Sequence, residues 1–307
     1  MRVFPLNDVS QIKYLPQMAL VLITVIWGGT FLVVQHALTA SSPMFFVGFR
    51  FATAAVIVGL FSISALKQMT CKDVLAGSAI GLSIAAGYGS QTIGLQTISS
   101  SESAFLTALY VPMVPLLQFI LFRKSLKIST WLGVLCAFIG LVLLTGNGWH
   151  GLSFNFGQMV TLTGSIAIAL EILLISHFSS QVHVKCVTVI QLAVASLVAF
   201  ISMPMVGETQ IPAISTTLVV SAVGLGLASA LIQLTMNWAQ RSVEPSQAAI
   251  IYAGEPVWAG IFGRIAGERL GTAALLGGLF VVFGVVISEL KWKSKKTAKN
   301  VCLSEEG

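Results

Sequence analysis

The chain alternates between long apolar stretches and short polar connections. A helix needs about 20 residues to cross the ~30 Å hydrocarbon layer of a bilayer, and each stretch has about that length. The stretches are continuously apolar, without the alternation of a lipid-facing strand, so the pattern favours helices over a barrel. The sequence therefore predicts an all-α integral membrane protein with ten transmembrane helices. The predicted spans cover residues 15–36, 43–64, 73–96, 102–122, 129–147, 156–178, 185–205, 214–238, 246–265 and 271–290.

Composition supports a membrane location. Of the 307 residues, 56% are hydrophobic and 9% are charged, whereas a soluble protein carries about 25% charged residues. A water-soluble fold of this size could not bury so much apolar side chain. The first apolar run, Leu15 to Leu38, is too long for the hydrophobic region of a cleavable signal.

The basic residues are distributed unequally between the two sides of the predicted bundle. With ten spans, 14 of the 17 Lys and Arg residues fall on one side, two fall on the other, and Arg50 lies within a span. The positive-inside rule then predicts that both termini are cytoplasmic. The Lys-rich tail after residue 290 is typical of an anchor at an anionic inner leaflet, so we expect the lipid bilayer, and not a nucleic acid, as its partner.

The chain contains an internal repeat. Residues 110–145 match residues 254–289 at a shift of 144, and earlier in the chain the shift is about 141. A shared register of prolines and glycines is informative in an otherwise apolar sequence. The matched positions include Pro112 with Pro256, Gly133 with Gly277, Gly140 with Gly284, and Gln17-Met18 with Gln158-Met159.

The repeat predicts two units, residues 1–150 and residues 151–307, with five spans in each. Because five is odd, the second unit enters the membrane from the opposite side, and the two units form inverted repeats. Inverted repeats are characteristic of secondary transporters, whose substrate site lies near the midplane between the repeats.

Several short motifs strengthen this interpretation. They are Trp27-Gly28-Gly29-Thr30-Phe31, Arg50-Phe51, Leu109-Tyr110-Val111-Pro112, Glu255-Pro256-Val257 and Gly267-Glu268-Arg269-Leu270. In their order and spacing the chain resembles the drug/metabolite transporter (DMT) superfamily, EamA type, over nearly its whole length. The resemblance implies a permease of the bacterial inner membrane that exports amino acids, other metabolites or toxic drug-like compounds. The chain departs from the family pattern at Lys124, where the second repeat has the usual acid, Glu268.

Three ionisable residues lie inside predicted spans: Arg50, Glu171 and Glu255. Charges in the bilayer are costly, so such residues face the bundle interior and mark function, unless they form a buried ion pair that only fixes packing. Burial favours the neutral form of a carboxyl group. An acid in this environment can bind a proton and a substrate ammonium group alternately. We therefore expect proton-coupled export of an amine-bearing small molecule, with Glu171 or Glu255 as the switching acid.

Aromatic and polar side chains within the spans could complete a substrate pocket, because ring faces and a few polar groups suit a small organic solute. The candidates are Trp27, Tyr88, Gln91, Tyr110, Gln233, Asn237, Tyr252 and Trp258.

Small residues and prolines have predicted structural roles. Gly77, Gly81 and Gly89 recur every four or eight residues along the third span, a pattern that lets helices approach closely. Pro112 and Pro256 each remove a backbone donor, so each can kink its helix or act as a hinge.

Motifs of other classes are missing from the sequence. No HExxH motif and no P-loop occurs, and the only aspartates, Asp8 and Asp73, lie at or outside span ends. The four cysteines form no CxxC and no Cys/His cluster. We therefore expect no enzyme activity, no catalytic residues, no cofactor and no metal. A flippase for lipids or lipid-linked sugars and an intramembrane enzyme are the alternatives, and the sequence leaves monomer and homodimer open.

Overall fold

The computed structural model describes residues 9–123, 128–144, 154–269 and 271–289, and its regular elements there are helices. A single turn of 3-10 helix, Pro204–Val206, follows the ninth α-helix. The α-helices in chain order are α1 Val9–Ala37, α2 Pro43–Leu60, α3 Ile63–Leu66, α4 Cys71–Gly94, α5 Ser100–Thr107, α6 Tyr110–Phe122, α7 Ile128–Leu144, α8 Phe156–Phe178, α9 Val184–Ser202, α10 Thr216–Ala239, α11 Pro245–Tyr252, α12 Glu255–Ile265 and α13 Thr272–Glu289.

Six segments of the described chain are long and apolar enough to cross a membrane. One of them runs through both α5 and α6. The α4 helix is comparably long at 24 residues, or about 36 Å at 1.5 Å per residue, but it is rich in Gly and Ser and less apolar. The six segments are Tyr14–Ala37, Pro43–Leu60, Ser100–Phe122, Phe156–Phe178, Val184–Ser202 and Thr216–Ala239.

The distribution of side chains is the reverse of that in a soluble protein. Leu22, Leu75 and Leu279 are 65–67% exposed, whereas Arg50 is 2% exposed and Glu171 and Glu255 are fully buried. Exposed apolar side chains around a buried polar interior indicate that lipid is the solvent of the bundle.

Two sequence-predicted spans are each divided into two helices. The span 102–122 breaks between α5 and α6, and the span 246–265 breaks between α11 and α12. Each break comes just before a proline, Pro112 or Pro256, which has no N–H to continue the helical ladder. At both breaks, backbone N–H groups donate to the carbonyl three residues earlier instead of four. Val111 donates to Ala108 in this way, and Gly254 donates to Ile251. The predicted kinks are therefore full interruptions.

The second span also ends earlier than predicted. The sequence predicts a helix over 43–64, but α2 ends at Leu60 and the separate turn α3 begins at Ile63. Gly59 stands one residue before the end, where its low helix propensity helps to stop the helix, and its carbonyl accepts from the N–H of Ser62.

The helices pack in a regular set of neighbours. The α2 helix lies against α9, and α7 lies against α13. The α4 helix contacts α8 and α9, while α10 contacts α1 and α2.

Glycines bring two of these pairs into close contact. A Cβ on Gly81 of α4 would lie 2.6 Å from the carbonyl oxygen of Gln191 in α9. A Cβ on Gly226 of α10 would lie 2.8 Å from Thr53 Cβ and 3.0 Å from the carbonyl oxygen of Arg50 in α2. At both positions only glycine fits without displacing the neighbouring helix.

Hydrogen bonds join helix ends at one side of the bundle, which we call the basic face because Lys67, Lys72, Lys185 and Arg241 lie there. Asp73 accepts from the backbone N–H of His183 at 2.8 Å and so caps α9. Arg241 donates to the carbonyl of Val182 at 2.6 Å.

The other ends form the opposite face, which carries Arg264 and Arg269. There Glu208 accepts from the backbone N–H groups of Met44 and Phe45 at 2.8 and 3.1 Å. These contacts link the α9–α10 connection to the start of α2. The charge pattern predicts both on the same side of the membrane. Which face is cytoplasmic remains a prediction, and Lys124, Lys127 and the Lys-rich tail lie outside the described residues.

Candidate functional site

The three charged residues predicted inside the membrane lie in one cluster. Arg50 comes from α2, Glu171 from the middle of α8 and Glu255 from the first turn of α12. Tyr88 of α4 lies close enough to all three to interact with them electrostatically, and the two carboxyl groups also interact with each other. Four helices from both halves of the chain therefore contribute to a single buried site.

Glu171 is held by a series of buried amides, which we call the amide ladder (Gln233, Gln191 and Asn237). Gln233 Nε2 donates to Glu171 Oε1 at 2.8 Å, and Gln191 Nε2 donates to Gln233 Oε1 at 2.7 Å. Asn237 Nδ2 then donates to Gln191 Oε1 at 3.1 Å. The ladder fixes one carboxylate oxygen, while Glu171 Oε2 is buried without a partner.

The ladder extends away from Glu171 toward the basic face. Its last member, Asn237, also donates to Thr188 Oγ1 at 3.1 Å, and Thr188 is one turn from the start of α9. A continuous line of buried hydrogen bonds thus connects the middle of α8 to the basic-face end of α9. Buried polar networks of this kind hold helices in one arrangement when every member is satisfied.

Glu255 also has one carboxyl oxygen with a hydrogen-bond partner and one without. The Tyr110 hydroxyl donates to Glu255 Oε2 at 3.2 Å, and Glu255 Oε1 is buried without a partner. Tyr110 is the first residue of α6 and Glu255 is the first residue of α12. The two helix breaks therefore meet at this hydrogen bond, and the start of α12 is favourable for a carboxylate because helix N-termini carry partial positive charge.

Aromatic rings form the wall of the site. The Trp27 and Tyr88 rings are stacked, with centroids 6.1 Å apart and an angle of 8°, and Tyr252 approaches Trp27 edge-on at 5.8 Å. The Tyr252 hydroxyl accepts from Gln240 Nε2 at 2.9 Å. The indole N–H of Trp27 is buried and has no acceptor in the described part of the chain.

Arg50 does not form the buried ion pair that the sequence leaves open. Its Nε donates to Ser229 Oγ at 2.7 Å, and its guanidinium carbon lies 5.3 Å from the ring centroids of both Phe51 and Tyr88. Among the described residues, no carboxylate is within ion-pair distance of it. The Arg50 charge is thus stabilised by a hydroxyl group and ring faces.

Two sequence candidates have their described contacts elsewhere. Gln91 donates to Thr107 Oγ1 in α5 at 3.2 Å. Trp258 is partly buried and stacks on Phe262 at 6.4 Å, and its Cβ lies close to Gly28 of α1. Their roles in binding stay predictions.

The glycine and proline candidates lie at helix contacts and breaks. Gly77 and Gly81 face α9, and Gly89 lies near the Met44 sulfur atom. Pro112 and Pro256 lie in the first turns of α6 and α12, just after the two helix breaks. Hinge motion there stays a prediction.

Sequence reasoning missed Gln191 and Ser229, which complete the ladder and the Arg50 contact. A signal for Gln191 was present, because the shift of 141 between the halves places it opposite Arg50 in the repeat. Ser229 had no comparable signal. Within the described ranges, no three His, Cys, Asp or Glu side chains gather where they could hold a metal ion.

An all-helical bundle that exposes apolar side chains and encloses a cluster of charges, amides and rings is typical of membrane transport proteins. Comparison with known proteins agrees. The chain belongs to the EamA-like transporter family, which matches residues 15–146 and again residues 155–290.

The relatives have similar length and names. An Archaeoglobus fulgidus protein named an uncharacterized transporter is 29% identical over 89% of this chain and 85% of its own. The uncharacterized inner membrane transporter YedA of Escherichia coli K12 is 28% identical over 89% of this chain and 90% of its own. A solved crystal structure superposes with a TM-score of 0.66 and 16% identity, covering 91% of this chain and 98% of that one; this likeness shows the fold alone.

Proposed function

We propose that the chain is a secondary transporter that exports a small amine-bearing metabolite across the bacterial inner membrane, coupled to protons. The observation that carries the proposal is the pair of fully buried acids, Glu171 and Glu255, each with one oxygen bound and the other without a partner. Buried polar atoms are nearly always paired, so two free acceptors in one cluster favour a ligand that donates hydrogen bonds. The inner-membrane location draws support from the name of the E. coli relative.

The chemistry of the cluster favours an ammonium group over an anion. Two carboxyl oxygens can accept from it, and the rings of Trp27, Tyr88 and Tyr252 offer faces that attract a cation. The free indole N–H of Trp27 can donate to an oxygen elsewhere on the same molecule. When the amine leaves, protons can take its place on the acids, which would couple the two flows.

The packing pattern supports alternating access by two inverted repeats of five spans each. The contact of α4 with α8 has its counterpart in that of α10 with α1, and α4 with α9 corresponds to α10 with α2. The α2–α9 and α7–α13 contacts join equivalent helices of the two halves. The family also matches the chain twice, and both halves have a broken helix at the same place in the repeat.

The site is closed in this structure. Trp27, Tyr110, Tyr252, Glu171 and Glu255 are all fully buried. A substrate can therefore reach the acids only when helices separate on one face, which is the movement that alternating access requires.

The test is transport by the purified full chain in proteoliposomes. Efflux of radiolabelled amine-bearing metabolites is compared with that of matched compounds without an amine, with and without a pH gradient. We expect transport of at least one amine, and faster transport when protons flow down their gradient in the direction opposite to the amine. Movement of amine-free compounds alone, or a rate that ignores the gradient, would contradict the proposal.

Matched variants test whether the buried acids carry the pH-dependent transport. Glu171→Gln and Glu255→Gln keep the side-chain shape but remove the charge, and Glu244→Gln makes the same change at an exposed site. We expect the first two to lose most of the pH-dependent transport, by about tenfold or more, and the third to behave as wild type. Full, still pH-dependent transport by Glu171→Gln would remove Glu171 from this role.

A further inference from the structure

A surface cavity lies outside the buried cluster, between α5, α12 and α13. It is a groove of about 830 Å³ near the opposite face, within the range of roughly 300–1,000 Å³ that is typical of ligand pockets. Its inner part is apolar, and its polar residues, Ser101, Arg264 and Glu268, gather at one end. We propose that this groove binds an anionic phospholipid, with an acyl chain along the groove and the phosphate at Arg264.

The shape of the groove suits an acyl chain. Along α12 it extends from Arg264 to Val257, seven residues or about 10 Å, and α13 lines it over a similar length. It opens sideways, because Val257, Ile261 and Leu279 are 43–65% exposed on the surface that faces lipid. Phe105 of α5 forms part of the lining, and Gly260, which has no side chain, leaves space at the base of the groove.

The polar end of the groove carries a cationic side chain that has no partner among the described residues. Arg264 is exposed, and its side chain makes no hydrogen bond or ion pair with the described residues. The nearby acid does not neutralise it by contact. Both Glu268 oxygens are taken by Ser100 and Ser101, through backbone N–H groups at 3.0 and 3.1 Å and through both hydroxyl groups.

The position of this charge is unusual for the chain. Apart from Arg50 within the bundle, Arg264 and Arg269 are the two basic residues that the charge pattern assigns to the opposite face, where the positive-inside bias disfavours them. Arg264 lies in the last turn of α12, at the polar end of the groove, and Arg269 follows in the connection between α12 and α13. An Arg side chain at the end of an apolar groove is complementary in charge and hydrogen bonding to the phosphate of an anionic lipid.

The experiment is lipid retention by the purified full chain in detergent, measured by native mass spectrometry. Equal amounts of a phosphatidylglycerol and a phosphatidylcholine with the same acyl chains are added. We expect the phosphatidylglycerol to be retained about fivefold more, since one basic residue near the surface contributes about that factor. Equal retention of the two lipids by the wild type would overturn the proposal.

Variants separate the headgroup contact from the chain contact. Arg264→Gln is at an exposed site and should bring the two lipids to equal retention, while Lys72→Gln on the basic face should keep the preference. Gly260→Leu leaves the charge in place but fills the floor, since a Cβ there meets only Phe105 at 3.7 Å, and should reduce retention of both lipids. If Arg264→Gln still retains more phosphatidylglycerol than phosphatidylcholine, Arg264 does not bind the headgroup. If Gly260→Leu retains both lipids as the wild type does, the groove does not hold the acyl chain.

A soluble headgroup distinguishes a lipid site from a phosphate site. Glycerol phosphate at millimolar concentration should not displace the phosphatidylglycerol, because the acyl chain supplies much of the binding. Full displacement would place recognition on the phosphate alone and would overturn the proposal. The readout is binding, so it does not depend on whether the chain transports an amine.

Discussion

Gln233 donates a hydrogen bond of 2.8 Å to Glu171 and thereby takes up one of the two oxygens of a fully buried carboxyl group. The donor belongs to α10 and the acceptor to α8. Because Gln233 in turn accepts from Gln191 of α9, this one contact joins three helices of the second half of the chain.

Removing the middle of the ladder should weaken the fold. Gln191→Leu leaves Gln233 Oε1 without its donor, and an unsatisfied buried polar group costs roughly 1–3 kcal/mol. We expect a loss of that size in the free energy of unfolding in detergent. Gln210→Leu, at an exposed site between α9 and α10, should change stability by less than about 0.5 kcal/mol. Equal effects of the two substitutions would show that the ladder does not stabilise the bundle.

Glu268 should make stability depend on acid pH. Burial raises the pKa of this carboxyl group, but four hydrogen bonds from Ser100 and Ser101 outweigh burial, so the pKa of Glu268 lies below its ordinary value. A lowered pKa in the folded state stabilises the fold above the unfolded value of about 4.3. This stabilisation is lost as the pH falls through the folded value.

The measurement compares the unfolding midpoints of wild type and Glu268→Gln in detergent from pH 7 to pH 3. At pH 7 the variant should be less stable by roughly 1–2 kcal/mol, since it loses a charged helix cap, and the gap should narrow as the pH falls below the unfolded value of about 4.3. Glu244→Gln is the control, because that exposed side chain makes no capping bond. A gap that stays constant down to pH 3 would argue against the ionised Glu268 as the cap.

The two close glycine contacts should respond alike to a methyl group. Gly81→Ala and Gly226→Ala each place a Cβ within 2.6–3.0 Å of the neighbouring helix, and overpacking of this kind costs typically about 1–3 kcal/mol. Gly224→Ala meets nothing within 4 Å and should stabilise α10 by up to about 1 kcal/mol. Thermal midpoints in detergent test all three, and a neutral Gly81→Ala would mean that α4 and α9 can separate freely.

Topology can be tested by labelling single cysteines in intact cells. In a chain without its native cysteines, Thr209→Cys reports on the opposite face and Lys72→Cys on the basic face. If the basic face is cytoplasmic, an impermeant maleimide labels Thr209→Cys directly and Lys72→Cys only after permeabilisation. The reverse result would invert the predicted orientation, and labelling of both from outside would exclude the alternating topology.

An uninterrupted span such as α8 could be predicted closely because lipid imposes a simple rule on the sequence. Nearly every residue that faces acyl chains must be apolar, so the start of α8 at Phe156 and its end at Phe178 coincide with the predicted 156–178. Arg50, Glu171 and Glu255 stood out for the same reason, since each interrupts an apolar run.

Contacts between distant residues could not be predicted in this way. Nothing in the local sequence of Glu268 specifies Ser100 and Ser101, which lie more than 160 positions earlier and become neighbours only when α5 meets the α12–α13 connection. The full breaks before Pro112 and Pro256 were also missed, because a proline permits a continuous bent helix as well as an interruption.

Three acids act in the same manner at the ends of the bundle, and each joins one half of the chain to the other. Glu208 and Glu268 bind the first amides of α2 and α5 at the opposite face, and Asp73 binds the amide of His183, directly before α9, at the basic face. If the helices separate on one face, the carboxylates of that face must exchange these amide contacts for water. Because the acids of the two faces meet different water compartments, a substitution or a change of pH on one side should loosen only the helix ends on that side.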